Sequence, residues 1–238
     1  MTTFIAFGNI QQHYPLRQIP PEFLTEELGR KPTENIRVKR RHRSRWIAHF
    51  LLWELCKKAQ IPTALLADIQ RSVSGRPYFT PPHIDFNISH SGDWVAVILS
   101  VNTPQSIVGI DIEHPKKMRN YTALLAHFAS QREQNWFAGE ADADSAFYRC
   151  WCLREAILKS QGVGIVQLSE VFHDPQNLRL KSAYCPSGRL IFTDELPFYF
   201  ACFAANSQLE QAQYFCWENN GFSPVSLNNA IKYSVNKT

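Results

Sequence analysis

The sequence predicts an α+β protein of two pseudo-symmetric α/β lobes, each with a long helix packed on a small, mostly antiparallel sheet. This prediction rests on two kinds of pattern. Apolar residues recur at helical spacing over residues 38–59 and 143–161, and short β-branched runs occur in both halves. A turn-forming segment at residues 102–107 separates the halves. We therefore expect an N-terminal lobe over residues 1–105 and a C-terminal lobe over residues 106–238, with a cleft between them.

The N-terminal half begins with a strand pattern at residues 4–10 and continues through a proline-rich loop. Apolar residues then recur at helical spacing over residues 38–59, which predicts a long helix. A short strand at residues 85–88 is expected to stop at Ser89, and residues 94–101, rich in Val and Ile, predict another strand.

The C-terminal half begins with a buried-strand pattern around residues 108–113. The other predicted elements are a helix near 120–138, a helix over 143–161, a hairpin of residues 178–184 and 189–192 around Pro186-Ser187-Gly188, and a strand at 198–205. The polar segment after Glu218 is expected to be loosely held.

Composition narrows the class of protein. The chain has 238 residues, 45% of them hydrophobic, which is enough to bury a full core. No apolar run reaches the roughly 20 residues of a membrane helix, and the first residues lack the pattern of a signal peptide, so we expect a soluble, cytoplasmic protein. The six cysteines show no Cys-x-x-Cys spacing, which favours buried free thiols over zinc or a disulfide framework.

The positive charge is concentrated in one segment, residues 37–45. Without its six Lys and Arg residues, 19 of the 25 basic residues remain against 21 acidic ones, so this segment accounts for the net charge of +4. Such a run predicts a local anionic partner, although a solvated helix start and a nucleic-acid patch fit it as well.

Two acidic residues, Asp111 and Glu113, stand in an apolar, β-branched run. In a strand, side chains at i and i+2 leave the same face. The pair is therefore either a site for a hard cation or two like charges kept apart by solvent, and the apolar neighbours make solvation the weaker reading.

Four segments in order carry a family resemblance: Gly75-Arg76-Pro77, Asn87-Ile88-Ser89-His90-Ser91, Gly109-Ile110-Asp111-Ile112-Glu113 and Trp151-Cys152-Leu153-Arg154-Glu155-Ala156-Ile157-Leu158-Lys159. Together they resemble the Sfp-type 4'-phosphopantetheinyl transferases over roughly residues 37–165. The resemblance implies transfer of the phosphopantetheine arm of coenzyme A to a serine of an apo acyl or peptidyl carrier protein, releasing adenosine 3',5'-bisphosphate. It also implies a monomer that uses Mg²⁺ and has neither nucleic acid nor a membrane as its partner.

The resemblance also assigns roles to residues. It implies that Asp111, Glu113 and Glu155 hold Mg²⁺, for which three oxygen ligands are suitable. Lys159 would be the cation that offsets developing negative charge, although Glu155 and Lys159 also fit a surface ion pair at i and i+4. For the base that takes the serine proton, Glu133 and Glu155 both remain candidates.

Four further residues match family positions that meet coenzyme A. Ser89 and His90 correspond to the turn at the adenosine 3'-phosphate, and Arg45 to an arginine at the start of the long helix. Arg76 stands where many relatives have Lys, and its guanidinium can hold phosphate with two hydrogen bonds. The rest of the basic run has no secure counterpart, and Arg40, Arg41 and Arg43 could steer an acidic carrier protein.

Two other classes of protein remain open on the sequence alone. A nucleic-acid-binding module would use residues 37–45, but it leaves the carboxylates unexplained. A catalytically silent carrier-binding protein would keep the fold without the metal. Serine hydrolases and P-loop proteins find no support, because neither Gly-x-Ser-x-Gly nor a Walker glycine loop is present.

Overall fold

A computed structural model describes residues 2–30, 32–101, 105–117, 119–205 and 209–236. Its helices are α1 (Glu26–Gly29), α2 (Ile36–Lys58), α3 (Tyr121–Leu125), α4 (Gln131–Ala138) and α5 (Ala143–Ser160). Its strands are β1 (Thr2–Asn9), β2 (Gln70–Arg71), β3 (Pro77–Tyr78), β4 (Ile84–Ser91), β5 (Trp94–Val101), β6 (Val108–Glu113), β7 (Phe172–Asp174), β8 (Arg179–Lys181), β9 (Gly188–Thr193), β10 (Tyr199–Ala205), β11 (Gln213–Glu218), β12 (Gly221–Val225) and β13 (Ile231–Val235). The mixed α+β class is confirmed.

The first sheet has the strand order β12-β11-β1-β5-β4. β1 and β5 pair antiparallel, as do β5 and β4, whereas β11 runs parallel to β1. Residues 213–225 thus belong to the sheet of the N-terminal half. The predicted boundary between the lobes lies at residues 102–107. Residues 102–104 lie outside the described residues, so the division of the chain at residue 105 stays a prediction.

The second sheet has the order β6-β10-β9-β13-β8-β7. The predicted hairpin is wrong, because β13 lies between β8 and β9, antiparallel to β9 and parallel to β8. The expectation of a loosely held tail is also wrong. Tyr233 and Val235 alternate along β13 with no exposed surface, so burial of their side chains holds this strand in the sheet.

The two long helices lie close to their predicted bounds, and each begins at a capping side chain. Asn35 accepts hydrogen bonds from the amides of Arg37 and Val38 at the start of α2, and Asp142 accepts one from Ser145 at the start of α5. The single helix predicted near 120–138 is wrong. Ser130 accepts a bond from the amide of Glu133 and starts the separate helix α4.

The core has three parts. Residues of α2 and one face of the first sheet form one cluster, and α5 with one face of the second sheet forms another. A third cluster joins the opposite faces of the two sheets, including Ile5, Phe7 and Ile98 from the first and Ile110 and Phe200 from the second. The two sheets therefore share a core.

The cysteines are free thiols, buried except for the half-buried Cys216, as predicted. No helix among the described residues has the length and apolar character needed to span a membrane.

Candidate active site

The edge strands β4 and β6 of the two sheets are joined by side chains of β4. Every second residue of β4 accepts a hydrogen bond from a backbone amide of β6 or the residue after it. The bonds run from Val108 to Asp85 Oδ2 (2.9 Å), Ile110 to Asn87 Oδ1 (3.1 Å), Ile112 to Ser89 Oγ (3.2 Å) and His114 to Ser91 Oγ (3.0 Å). We call these four bonds the β4–β6 ladder. Its even spacing fixes the register of β6 against β4.

Two serines of the β4–β6 ladder also hold the carboxylates of β6. Ser89 Oγ donates to Asp111 Oδ1 at 3.1 Å, and Ser91 Oγ donates to Glu113 Oε2 at 2.8 Å. Asp111 is almost completely buried, with 1% of its surface exposed. Ser89 lies inside β4, not after a strand end as predicted, and its hydroxyl orients a carboxylate in this structure.

Helix α5 approaches β6 closely at Gly109. A Cβ atom at position 109 would lie 1.9 Å from the carbonyl oxygen of Ala156 and 3.0 Å from the amide nitrogen of Ser160. Only glycine therefore allows this distance between strand and helix. The close contact places Glu155 and Lys159, one turn apart on α5, beside the carboxylates of β6.

Lys159 is the centre of the cluster. Its Nζ lies 2.5 Å from Asp111 Oδ1, 3.0 Å from Ser89 Oγ and 3.9 Å from Glu155 Oε2. The structure thus brings together Asp111, Glu155, Lys159 and Ser89, with Glu113 held two residues along β6.

The environment of this cluster opposes ionisation of two of its carboxylates. Burial and the charge of Asp111 raise the pKa of Glu113, and the same two causes raise the pKa of Glu155 to about 7. Burial opposes the charge of Lys159, but the carboxylates of Asp111 and Glu155 raise its pKa overall. Two of the three carboxylates thus have raised pKa values, and a further cation would stabilise their ionised forms.

The donor set suits a hard cation such as Mg²⁺, since all three side chains offer carboxylate oxygens. Asp111 Oδ2 is buried and has no hydrogen-bond partner among the described residues, which leaves it available to an ion. The three carboxylates do not bring their oxygens within 4.8 Å of one another; within the described ranges, that spacing is met by Glu133, Cys150 and His173. In this structure the ammonium of Lys159 contacts two of the three carboxylates.

Glu133 lies in a different environment, fully buried in the core around α5. Arg154 binds both of its oxygens, with distances of 2.8 and 2.5 Å, and His173 Nδ1 lies 2.6 Å from Oε1. Burial opposes its ionisation, but His173 and Arg154 lower the pKa of Glu133 to about 2. Among the described residues, no hydrogen bond or ion pair joins it to Asp111, Glu155 or Lys159. The arginine also leaves no free carboxylate oxygen for an ion.

Arg76 connects three elements of the site. Its guanidinium donates to Asp85 Oδ2 at 2.7 Å, to the carbonyl of Val108 at 3.2 Å and to the carbonyl of Lys159 at 3.1 Å. It thereby ties the end of α5 to the β4–β6 ladder. Arg45 is more exposed and forms an ion pair with Glu27. The predicted phosphate contacts of both arginines remain predictions.

Two clefts meet beside the cluster. The smaller one, of about 260 Å³, combines cations with apolar side chains; it is lined by Arg45, Arg71, His90, Leu52, Phe86 and Ile88, among others. The larger one, of about 610 Å³, is lined mainly by basic residues from α2 and by residues 114–117 and Arg119, and includes Glu113. We call them the mixed cleft and the basic cleft, and His90 and Ser44 line both. Sequence reasoning missed Lys116, Lys117 and Arg119, whose charges directly after Glu113 were a readable signal.

Comparisons with known proteins identify the family of the chain. A family model described as the 4'-phosphopantetheinyl transferase superfamily matches residues 107–216. The chain is 52% identical over 237 residues to the Haemophilus influenzae protein "Putative 4'-phosphopantetheinyl transferase", covering 99% of this chain and 100% of that protein. It is 28% identical over 166 residues to a Thraustochytrium "Phosphopantetheinyl transferase", covering 58% of this chain and 54% of that protein. With the human "L-aminoadipate-semialdehyde dehydrogenase-phosphopantetheinyl transferase" it shares 30% identity over 133 residues, or 49% and 42% of the two chains.

The chain belongs to the 4'-phosphopantetheinyl transferase superfamily, since a relative more than half identical matches it along its length. The predicted family and enzyme class are confirmed. The matched segment includes the strand with Asp111 and Glu113 and the helix with Glu155 and Lys159.

Proposed function

We propose that the protein transfers the 4'-phosphopantetheine arm of coenzyme A to a serine of an apo acyl or peptidyl carrier protein in a Mg²⁺-dependent reaction, releasing adenosine 3',5'-bisphosphate. The observation that carries this proposal is the cluster of Asp111, Glu155 and Lys159, with the neighbouring Glu113 lining a cleft rich in Lys and Arg. Displacement at phosphorus requires mainly positioning and neutralisation of charge, and such a cluster supplies both.

Asp111, Glu113 and Glu155 would hold Mg²⁺, which when bound neutralises charge on the pyrophosphate oxygens. Lys159 lies against Asp111 and Glu155 and, as an ammonium, would face the same oxygens. We assign it the role of offsetting negative charge on the departing nucleotide. Ser89 and Ser91 keep the two carboxylates of β6 in place through the β4–β6 ladder.

Glu155 is the better candidate for the base that takes the serine proton. Its carboxylate belongs to the cluster, and its ion pair with Lys159 is long, with 3.9 Å between Oε2 and Nζ. Both oxygens of Glu133 are already bound by Arg154. A carboxylate that is buried and paired in this way has a low pKa and does not contact a substrate hydroxyl, so it is a poor proton acceptor.

The mixed cleft suits the nucleotide end of coenzyme A. Its apolar residues, Leu52, Phe86 and Ile88, offer a surface for the adenine ring. Arg45 and Arg71 both pair with Glu27 in the same cleft, and their remaining N–H groups, with His90, would donate to phosphate. His90 also lines the basic cleft, which includes Glu113, and therefore connects the two clefts.

The proposal also covers the symmetry of the fold, the location of the protein in the cell and its oligomeric state. We infer that the two units of sheet and long helix are related by pseudo-symmetry, and that the protein acts in the cytoplasm as a monomer. A catalytically silent carrier-binding protein is the less favoured alternative, because Asp111, Glu113, Glu155 and Lys159 are all retained in one cluster.

The test is to incubate the protein with a panel of purified apo carrier proteins, coenzyme A and Mg²⁺, and to weigh the carriers by mass spectrometry. We expect at least one carrier to gain the mass of one phosphopantetheine arm, and Lys159→Ala to lose this activity while Lys181→Ala, an exposed lysine of β8, keeps it. If no carrier in the panel gains the mass, the proposed function is wrong.

A further inference from the structure

We propose that Arg76 is a positioning residue: it binds the carbonyl of Lys159, fixes the place of the Lys159 ammonium and does not itself contact a phosphate of coenzyme A. The inference rests on the proposed function, because it concerns the residue that neutralises charge in that proposal. Arg76 belongs to the hairpin of β2 and β3, and its side chain reaches both the β4–β6 ladder and the end of α5.

Acceptors of the protein occupy the guanidinium of Arg76. Its Nη2 donates to Asp85 Oδ2 at 2.7 Å and lies 3.2 Å from the carbonyl oxygen of Val108 and 3.4 Å from that of Phe86. Its Nε donates to the carbonyl of Lys159 at 3.1 Å. The side chains of Arg76 and Asp85 are only 12% and 9% exposed, so this ion pair is largely removed from water. Charge-assisted hydrogen bonds of this kind are strong and fix geometry.

The linings of the two clefts separate Arg76 from its neighbours in the hairpin. Arg71 and Pro77 line the mixed cleft, whereas Arg76 is not among the described residues that line either cleft. The hairpin therefore presents Arg71 to the proposed nucleotide site and directs Arg76 into the protein.

The bond between Arg76 and Lys159 is made at the end of a helix. α5 ends at Ser160, so the carbonyl of Lys159 lies in the last turn, where carbonyls lack the usual partner within the helix. It accepts hydrogen bonds from the amide of Gly162 at 3.1 Å, from Arg76 Nε and, at 3.4 Å, from Asn87 Nδ2. A cation near a helix C-terminus also stabilises the helix dipole. Arg76 thus caps α5 at the residue that carries the ammonium.

The turn after α5 is shaped to receive the hairpin. Gly162 has a φ of +68°, and a Cβ atom there would lie 2.4 Å from Ser74 Oγ and 3.0 Å from Arg76 Cβ. The left-handed backbone and the close contact both favour glycine at this position. The hairpin therefore packs directly on the end of α5.

These contacts bear on the reaction through the Lys159 side chain. Its Nζ lies 2.5 Å from Asp111 Oδ1 and 3.0 Å from Ser89 Oγ. Arg76 holds the backbone of the same lysine against Asp85, the first acceptor of the β4–β6 ladder. A displacement of about 1 Å in a catalytic group can cost about 100-fold in rate. Loss of the guanidinium should therefore slow the chemical step without weakening the binding of coenzyme A.

The experiment compares the two arginines of the hairpin. Arg76→Lys keeps the positive charge but replaces a planar guanidinium, which reaches acceptors on three elements, by a single ammonium. With an apo carrier that the wild type modifies, we expect kcat to fall about tenfold or more while the KM for coenzyme A stays within about twofold. Arg71→Ala, in the mixed cleft, should instead raise the KM for coenzyme A.

A control variant separates positioning from a general loss of stability. Arg149→Lys also removes a guanidinium from α5's surroundings, one that donates to the Tyr233 hydroxyl and to the carbonyl of Pro175. It should leave kcat close to the wild-type value even if it lowers the unfolding temperature. Thermal unfolding of each variant is measured beside its kinetics.

The ion pair gives a second readout. Asp85→Asn keeps an oxygen for the amide of Val108 but removes the charge that holds Arg76, so it should lower kcat in the same way. Because both changes break one connection, the double variant should be no slower than the slower of the two single variants.

Several results would overturn the inference. A raised KM for coenzyme A with an unchanged kcat in Arg76→Lys would make Arg76 a phosphate ligand. Equal losses of kcat in Arg76→Lys and Arg149→Lys would reduce the effect to stability, and additive losses in the double variant would show that Asp85 and Arg76 act separately. If the wild type modifies a carrier and Arg76→Lys matches it in both constants, only this inference is wrong; if the wild type modifies none, the proposed function fails as well.

Discussion

Ser89 Oγ donates a hydrogen bond to Asp111 Oδ1 at 3.1 Å and accepts one from the amide of Ile112 at 3.2 Å. One hydroxyl therefore holds a carboxylate of the site and joins two sheets. The same arrangement recurs at Ser91 and Glu113. The same serines position the carboxylates and hold the two sheets together. Changes to the serines of the β4–β6 ladder should therefore affect activity and stability together.

Ser89→Ala should therefore be costly. It leaves the buried amide of Ile112 without an acceptor, and an unsatisfied buried group of this kind costs about 1–3 kcal/mol of unfolding free energy. It also removes one of the two donors to Asp111 Oδ1, the other being Lys159, so we expect kcat to fall as well. Ser160→Ala is the control, since that buried hydroxyl donates to Ile157 within its own helix. Chemical denaturation and transfer kinetics measure both effects, and wild-type values for Ser89→Ala would show that the ladder does not position the site.

Gly109→Ala should separate α5 from β6. The added methyl would meet the carbonyl of Ala156 at 1.9 Å, so the helix must move away and take Glu155 and Lys159 with it. We expect a loss of about 1–3 kcal/mol in unfolding free energy and a lower kcat. Gly221→Ala is the matched control, because nothing lies within 4 Å of a Cβ there. Equal behaviour of the two variants would mean that the close approach has no role.

The sequence predicted the elements that depend on local pattern. The strand at residues 94–101 has the predicted bounds, and α2 and α5 lie within a few residues of theirs, because periodicity and capping side chains act locally. Insertion of β13 between β8 and β9 depends on pairing between distant segments, which no local pattern specifies. The β4–β6 ladder did have a signal, because Asp85, Asn87 and Ser89 alternate with apolar residues along the strand and Ser91 continues the series.

The candidate site was predictable in its composition and less so in its contacts. Spacing alone put Asp111 and Glu113 on one face, and family resemblance added Glu155 and Lys159. Nothing in the sequence indicated that Glu133 pairs with Arg154, 21 residues away, because that contact depends on how α4 packs against α5.

Glu133→Gln distinguishes a structural carboxylate from a catalytic base. The variant leaves Arg154, with 1% of its surface exposed, as a buried unpaired charge, which costs about 3–5 kcal/mol. If Glu133 were instead the base, kcat would collapse while stability changed little. Glu140→Gln, an exposed carboxylate just beyond α4, is the control for loss of one negative charge.

The pH dependence of unfolding gives an independent check on Glu133. Its folded-state pKa is lowered to about 2 from an ordinary value of 4.5, so its contribution to stability is present above about pH 4.5 and is lost as the pH falls toward 2. We expect the wild type to lose unfolding free energy over this range more steeply than Glu133→Gln. Parallel curves for the two proteins, measured by denaturant titration at each pH, would contradict the paired state of this carboxylate.

Asp111→Asn tests the metal assignment without relying on activity alone. A ligand that binds only the folded state raises the unfolding temperature, so Mg²⁺ should stabilise the wild type in proportion to the logarithm of its concentration. The variant keeps one side-chain oxygen but removes the charge that faces Glu113 and Glu155, so this stabilisation should vanish. Transfer activity should also fall, by about 100-fold or more. Differential scanning calorimetry in a Mg²⁺ series gives the first result, with Asp68→Asn, an exposed carboxylate of the N-terminal half, as the control. If Asp111→Asn responds to Mg²⁺ as the wild type does and still modifies carriers at full rate, the carboxylates of β6 do not hold the ion.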